Sequence, residues 1–199
     1  MSTLKVDTIL KRTGTGTITV GQSGDTVSVP SGATLSVSGS TSGLPDSTPA
    51  FQAFRASNQT ISASTYVKIE FETEDYDTDG CYNNTSGTVT LNGISTPSYS
   101  FAPNVAGKYL ISGAVNANTS TDFDAFIVAI FKNGTQVNRV LNSNRHFDTA
   151  MTSFIVTANG TSDYFDIRGY TEQSGGSTLQ ATDSSSRLMW FCATRLIGV

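Results

Sequence analysis

Histidine, tryptophan and cysteine are nearly missing from this 199-residue sequence, which has one His, one Trp and two Cys. The single histidine, His146, excludes a multi-histidine metal site, and any Ser-His-Asp arrangement would have to recruit it. Neither a Gly-x-Ser-x-Gly elbow nor a P-loop is present. The sequence therefore predicts a protein that is not an enzyme, with residues 145–148 as a surface loop or with His146 at an interface.

Basic residues are also few, with 12 Lys and Arg against 16 Asp and Glu and a net charge of −4. The one basic cluster is Lys5, Lys11 and Arg12, so we expect no nucleic-acid partner, because phosphate binding needs grouped cations. No apolar run approaches the roughly 20 residues that span a bilayer, which predicts no membrane insertion. The first residues lack an apolar stretch, so we also expect no signal peptide and synthesis in the cytoplasm.

Serine and threonine are abundant, at 55 residues, and the 18 glycines are scattered rather than grouped. This composition is typical of an exposed, turn-rich, all-β protein. The two cysteines predict reduced thiols, with Cys192 as a small core residue in the last strand.

Residues 13–48, which we call the shaft segment, contain no aromatic, lysine or arginine residue. The segment nevertheless has a regular pattern of Thr-Φ-x-Φ units (Φ, apolar) eight or nine residues apart, with glycines between them. Such units bury an apolar face only against neighbouring units, most easily in other copies of the chain. The predicted core of a trimeric β-shaft is Ile18, Val20, Val27, Val29, Leu35 and Val37.

Residues 1–12 carry a short apolar element that is too short to fold unaided. We predict that it docks the chain on a larger particle through Leu4, Val6, Ile9 and Leu10.

Residues 49–199, which we call the head, contain eight to ten short strand candidates and no helical apolar period. The run 125–131 is apolar throughout, which predicts a strand covered on both faces. It ends at Asn133-Gly134, a strong hairpin signal, and Asn159-Gly160 predicts a second hairpin. The pattern favours an antiparallel jelly-roll β-sandwich.

Several head segments carry a family resemblance, the most specific being the F-x-P-x3-G-x-Y-x-I block from Phe101 to Ile111. The others are Phe51 to Ala56, Ile69-Glu-Phe71, Asp77 to Gly80 with Tyr82-Asn83, Lys132-Asn-Gly134 and Arg195-Leu-Ile-Gly198. Over about residues 50–199 the chain resembles the complement globular-head, tumour-necrosis-factor-like trimeric jelly roll. The turn Asn159 to Asp163 and the long loop 171–186 depart from that family's pattern.

The shaft segment, in turn, is similar to the N-terminal part of many bacteriophage fibre proteins. Together the two resemblances imply a homotrimeric virion fibre, a tail fibre or short appendage, whose head attaches to a host-surface glycan or protein. Its N-terminus would bind other virion proteins. The alternatives are a capsid or head decoration fibre with a purely structural role, and a bacterial ligand module in cell-cell contact.

An acidic stretch precedes Gly80, and its Asp75-x-Asp77-x-Asp79 spacing matches the opening of a calcium loop. The twelfth position of that loop is Ser86 rather than a bidentate carboxylate, so a solvated loop is the favoured interpretation and calcium the alternative. No other cofactor is predicted.

Aromatic residues in or beside predicted loops are candidates for receptor contact, because exposed rings with polar neighbours stack on sugars or proteins. We predict that the contacts lie at the end of the jelly roll away from the entering chain. The candidates are Tyr82, Phe123 and Tyr170, with the acidic neighbours Asp77 and Asp122; Tyr76 is a further aromatic residue of this kind.

Overall fold

The structure, a computed structural model, describes residues 9–10, 16–37, 46–123, 125–142, 145–182 and 186–198, with the backbone alone at 118–123 and 145–148. The chain divides into two units, Met1–Leu44 and Pro45–Val199. Within the described residues every regular element is a β-strand, and every ladder is antiparallel. This confirms the predicted all-β class.

The described part of the shaft segment, 16–37, consists of extended stretches joined by two similar turns. Asp25 N donates to Gln22 O and Ala33 N to Pro30 O, each at 3.0 Å, so the turns are eight residues apart. Gly24 and Gly32 take φ of 93° and 85° in these turns, a conformation that glycine adopts without steric cost. No strand ladder forms within 16–37 of one chain, so the predicted strands have no partner there.

The described residues of the head form fifteen strands. They are β1 (Ala50–Phe54), β2 (Gln59–Ile61), β3 (Val67–Lys68), β4 (Thr73–Asp77), β5 (Tyr82–Asn83), β6 (Val89–Leu91), β7 (Ile94–Thr96), β8 (Ser100–Phe101), β9 (Gly107–Phe123), β10 (Phe126–Lys132), β11 (Thr135–Asn142), β12 (Arg145–Ala158), β13 (Phe165–Thr171), β14 (Ser177–Leu179) and β15 (Trp190–Leu196).

Two sheets form the sandwich. Sheet A has the order β2-β14-β9-β15-β1-β4, and β12 pairs with the other edge of β9 along nearly its whole length. Sheet B has the order β11-β10-β13-β8-β5, with β3 also paired to β13. A separate hairpin, β6-β7, turns at Asn92-Gly93 and is held by bonds from Asn92 Nδ2 to Asp79 O (2.9 Å) and Gly80 O (3.1 Å).

The core lies between the inner faces of the two sheets and is rich in aromatic rings. Phe51 is its centre, with ring centroids of Tyr82 at 4.5 Å, Phe101 at 4.7 Å and Phe191 at 4.8 Å. All four side chains are buried. At about 25 cal/mol per Å² of apolar surface, such rings are the largest single contributors to the burial that holds the sheets together.

One of the free edges of sheet A is β12, whose one strand neighbour in the described chain is β9. Side chains from sheet B cross to this edge and donate to its carbonyl oxygens at every fourth residue. The bonds run from Asn142 Nδ2 to Thr149 O (3.4 Å), from Asn138 Nδ2 to Ser153 O (3.4 Å) and from Lys132 Nζ to Thr157 O (2.7 Å). Part of the edge is therefore occupied by the molecule's own donors.

Several predictions about the strands are confirmed. Residues 126–131 of β10 are buried on both faces, and Asn133-Gly134 forms the β10–β11 turn with φ of 50° and 78°. Phe191 is buried and Trp190 half-buried, as expected of neighbours on opposite faces.

Four predictions about local structure are wrong. Asn159-Gly160 does not turn a hairpin, because β12 belongs to sheet A and β13 to sheet B. Residues 145–148 begin β12 instead of forming a loop, and the acidic stretch 73–77 is strand β4 at the edge of sheet A. Cys192 is half-buried on the outer face of sheet A, whereas the buried thiol is Cys81; both are free.

Candidate functional site

The two ends of the sandwich differ in what they contain. At one end the chain enters, where Ala50 exchanges backbone bonds with Thr78 (Thr78 N to Ala50 O, 3.0 Å; Ala50 N to Thr78 Oγ1, 3.0 Å). The chain also leaves at this end, because Ala50 at the start of β1 pairs with Thr194 near the end of β15. The start of β9 lies there too, since Lys108 pairs with Leu196. The turns at 77–82, 132–135 and 158–164 belong to this entry end. The connections β2–β3, β9–β10 and β13–β14 lie at the opposite, far end.

Two of the five predicted receptor residues lie at the wrong end. Asp77 is in the entry-end turn, where its Oδ2 accepts from Tyr82 N at 2.7 Å. Tyr82 is 4% exposed, stacks on Phe51 and donates its hydroxyl to Phe71 O at 2.9 Å. Burial also raises the pKa of Tyr82 well above its ordinary value. The prediction of a receptor contact at Tyr82 is wrong, because the ring is part of the core.

The other three belong to the far end. Asp122 and Phe123 close β9, and their side chains lie outside the described part of the chain. Tyr170 is half-buried on β13, next to that strand's last residue, and its hydroxyl lies 3.5 Å from Glu172 Oε1. Of the predicted candidates whose side chains are described, Tyr170 alone has both the position and the exposure for contact.

Tyr170 belongs to an aromatic cluster on the outer face of sheet B that the sequence did not reveal. Tyr66, half-buried, has its ring centroid 5.2 Å from Tyr170 and 5.2 Å from Phe131. The guanidinium of Arg168 lies 4.2 Å over the Phe131 ring, a cation–π contact. Nothing in the sequence places Tyr66 opposite Tyr170.

Arg168 is fixed by a buried carboxylate on the same strand. Its Nε donates to Asp166 Oδ1 at 2.7 Å and its Nη2 to Asp166 Oδ2 at 3.3 Å. Lys68 Nζ lies 3.2 Å from the same carboxylate, which is fully buried. Desolvation lowers the pKa of Lys68, with the Asp166 charge acting in the opposite direction.

The three aspartates of the calcium-like spacing are held by different partners. Asp75 pairs with Arg187 Nη1 at 2.5 Å and accepts from Gln52 Nε2 at 3.1 Å. Asp79 Oδ2 accepts from Thr78 Oγ1 at 2.6 Å, and Asp77 caps Tyr82 N. In the described residues no three acidic, histidine or cysteine side chains are grouped to hold a metal ion. Calcium binding here stays a prediction.

The outer face of sheet A carries two rows of apolar side chains, separated by a row of Ser153, Ser112, Cys192 and Gln52. Adjacent strands align Met151, Ala114, Trp190 and Phe54 in one row, and Ile155 with Leu110 in another. Met151 is 57% exposed and Ile155 52%. Arg187 lies 3.5 Å over the Phe54 ring at the margin of the face. Large exposed apolar patches are typical of protein interaction sites.

The six predicted shaft residues are all exposed in a single chain, between 44% for Ile18 and 68% for Leu35. In the N-terminal element Ile9 and Leu10 are also exposed, while Leu4 and Val6 lie outside the described residues. None of these eight exposed side chains is covered by the described residues of its own unit. No helix in the described residues is long and apolar enough to cross a membrane.

Comparison with known proteins gives a likeness in structure. No protein-family model matches the chain, and no curated protein matches it. Murine APRIL at pH 5.0 is similar with a TM-score of 0.51 at 7% identity, over 74% of this chain and 98% of that one. This likeness shows the fold alone, and the predicted antiparallel jelly roll is confirmed.

Two further solved structures align less closely. The globular domain of zebrafish complement 1qA protein gives a TM-score of 0.49 at 14% identity, over 75% of this chain and 97% of that one. The PRD1 vertex protein P5 gives 0.49 at 12% identity, over 76% and 99%.

Proposed function

We propose that the protein is a homotrimeric, non-enzymatic virion fibre of a bacteriophage, a tail fibre or short appendage. Residues 1–12 dock on other virion proteins, 13–48 form an intertwined β-shaft, and the head contacts a glycan or protein of the host surface. The observation that carries the proposal is the exposure of all six predicted shaft-core side chains in a single chain, between 44% and 68%.

A solitary shaft segment has no means of offsetting its ordering entropy. Fixing the backbone costs about 1–2 kcal/mol per residue, and a segment that buries almost no apolar surface gains little in return. Its two turns nevertheless repeat with the same spacing and the same glycine conformation. Three copies around one axis would cover the Thr-Φ-x-Φ units of each chain, which supports a trimer.

The outer face of sheet A supports trimerisation of the head. Its apolar rows lack a covering element in the described residues, and a self-complementary or ring-forming contact between copies would bury them. Multivalent heads would then strengthen weak single-site attachment through effective concentration.

The alternative is a decoration fibre of the capsid or head with a purely structural role. The test is a pull-down of host cells with the purified full chain, with and without EDTA, combined with immunogold imaging of phage particles. Attachment to cells and label on a tail fibre or appendage are the expected results, and chelator sensitivity would support calcium. If the chain binds no cells and particles that lack the fibre infect normally, the results would instead favour the decoration fibre.

A further inference from the structure

The cluster of Tyr66, Phe131, Tyr170 and Arg168 has the features of a small binding surface. It lies on the outer face of sheet B, and it extends to the last residue but one of β13, at the far end from chain entry. Tyr66 and Tyr170 are both half-buried, so part of each side chain stays accessible. Glu172, exposed, stands beside the Tyr170 hydroxyl.

The hydroxyl of Tyr66 is buried and has no hydrogen-bond partner in the described structure. Leaving a buried polar group unpaired costs about 1–3 kcal/mol, and phenylalanine at this position would avoid that cost. The ring is nonetheless held in place by Phe131 on one side and Tyr170 on the other. Positions where a local rule is broken without compensation are expected at functional or strained sites.

The charges around the two tyrosines balance. Arg168 and Lys68 are cations and Asp166 and Glu172 are anions, and the first three are already joined to one another. A fixed platform of aromatic rings with one exposed carboxylate that has no cationic partner among these groups suits a ligand that offers apolar faces and hydroxyl donors and has no net charge. An anionic ligand would be repelled by Glu172. The cation that could attract it is Arg139 on β11, which lies in one row with Ala129 and Arg168.

We propose that Tyr66 and Tyr170 form a binding site for a neutral saccharide, with the rings stacking on sugar faces and Glu172 accepting from sugar hydroxyls. The inference rests on the proposed attachment function and names its ligand class and its residues. It places recognition on the outer face of sheet B, leaving the apolar face of sheet A for contacts between copies.

The test is binding of the full chain to an array that carries neutral oligosaccharides beside sialylated and sulfated ones. We expect binding to neutral probes, with a loss of about tenfold or more in Tyr66→Ala and in Tyr170→Ala. Tyr66→Phe keeps the ring and removes the hydroxyl that has no partner in the described structure, so it should bind more weakly than the parent and more tightly than Tyr66→Ala. Glu172→Gln, at an exposed position, should weaken binding without affecting the thermal midpoint.

The matched control is Tyr164→Ala, a half-buried tyrosine at the entry end, which should leave binding unchanged. Equal binding by the parent and both Ala variants overturns the site. Binding to anionic probes alone, lost in Arg139→Ala, overturns the ligand class. If the chain captures host cells but no neutral probe, the site fails while attachment stands; if it captures no cells, the attachment function fails as well.

Discussion

Gly175 and Gly176 are neighbours with nearly the same backbone conformation, φ of 87° and 86°, but with different surroundings. A Cβ at Gly175 would meet nothing within 4 Å, whereas a Cβ at Gly176 would collide with the carbonyl oxygen of Ile61. Comparing the two positions therefore separates the energetic cost of a side chain in the left-handed conformation from the cost of its steric clash with a neighbour.

Gly175→Ala should cost about 1 kcal/mol of unfolding free energy, the usual penalty of a side chain at positive φ. Gly176→Ala should cost at least about 2 kcal/mol more, because the backbone of β2 must move away from β14. Urea denaturation of both variants measures the difference. Equal denaturation midpoints for the two variants would show that β2 moves away from β14 at no measurable cost in stability.

Asp163 joins two turns of the entry end. Its carboxylate accepts from Asn133 Nδ2 at 2.7 Å and Asn159 N at 2.8 Å, and Lys132 Nζ lies 2.9 Å away. Burial alone would raise the pKa of Asp163, but the bonds from Lys132, Asn133 and Asn159 outweigh it and hold the pKa below its ordinary value of 3.8.

A lowered carboxyl pKa stabilises the fold above the unfolded value, and that contribution disappears as pH falls through the folded value. Asp163→Asn should therefore lose about 1–3 kcal/mol at pH 7 and show a flatter decline in stability below pH 3.8. Denaturation across pH measures both. Glu74→Gln is the control of opposite sign, since burial and then Asp77 raise the pKa of Glu74; an equally flat decline there would contradict the assignment.

Tyr82 and Tyr66 show what the sequence can and cannot predict at this scale. Both tyrosines have polar neighbours in the chain. For Tyr82 these neighbours predict an exposed ring, yet the Tyr82 ring packs on Phe51, 31 positions earlier. Tyr66 meets Tyr170 because β3 pairs with β13. Partners this distant in sequence leave no local pattern, whereas Asn133-Gly134 could be predicted because a two-residue turn is a local matter.

At the scale of elements, long apolar strands could be predicted and short polar ones could not. Strand β10 is apolar throughout because both of its faces are covered, and that composition is legible without a structure. Strands β2, β4, β5 and β14 are two to five residues long, too short for alternation to stand out. The acidic β4 is held by its pairing with β1 rather than by its own composition.

Two exposed apolar residues with the same exposure test the outer face of sheet A. Met151 on β12 and Leu141 on β11 are each 57% exposed, but Leu141 lies on sheet B. Met151→Glu should dissociate the proposed trimer while the far-UV circular dichroism stays unchanged, because a charge in an apolar contact is costly. Leu141→Glu should remain a trimer in sedimentation velocity. The reverse pattern would place the contact on sheet B.

For the whole molecule, the expected mass in light scattering is about 63 kDa, three times the 21.0 kDa of one chain. A clean monomer at micromolar concentration would remove the proposed architecture. This measurement precedes every other test of the fibre.

Placing aspartate at both Val27 and Val29 should unravel the shaft segment and leave the head folded, because the introduced charges from three chains would meet near one axis. Limited proteolysis should then release a head that begins near residue 45, the boundary between the two units. The conservative control is the double variant Thr26→Ser with Ser28→Thr, at the positions that alternate with the two valines. A shaft that stays resistant to protease would show that the two valines do not face other copies.

The occupied edge of β12 bears on how copies of the head can associate. Amide and ammonium donors already hold the carbonyl oxygens of Thr149, Ser153 and Thr157, so a strand from another molecule would have to displace them before it could extend sheet A beyond β12. Edge-to-edge pairing can repeat without limit, whereas side-chain contacts related by a closed rotation end in a finite group. A particle that assembles many such chains at high local concentration would gain from this arrangement, because it directs each chain toward a finite group and away from an unlimited ribbon.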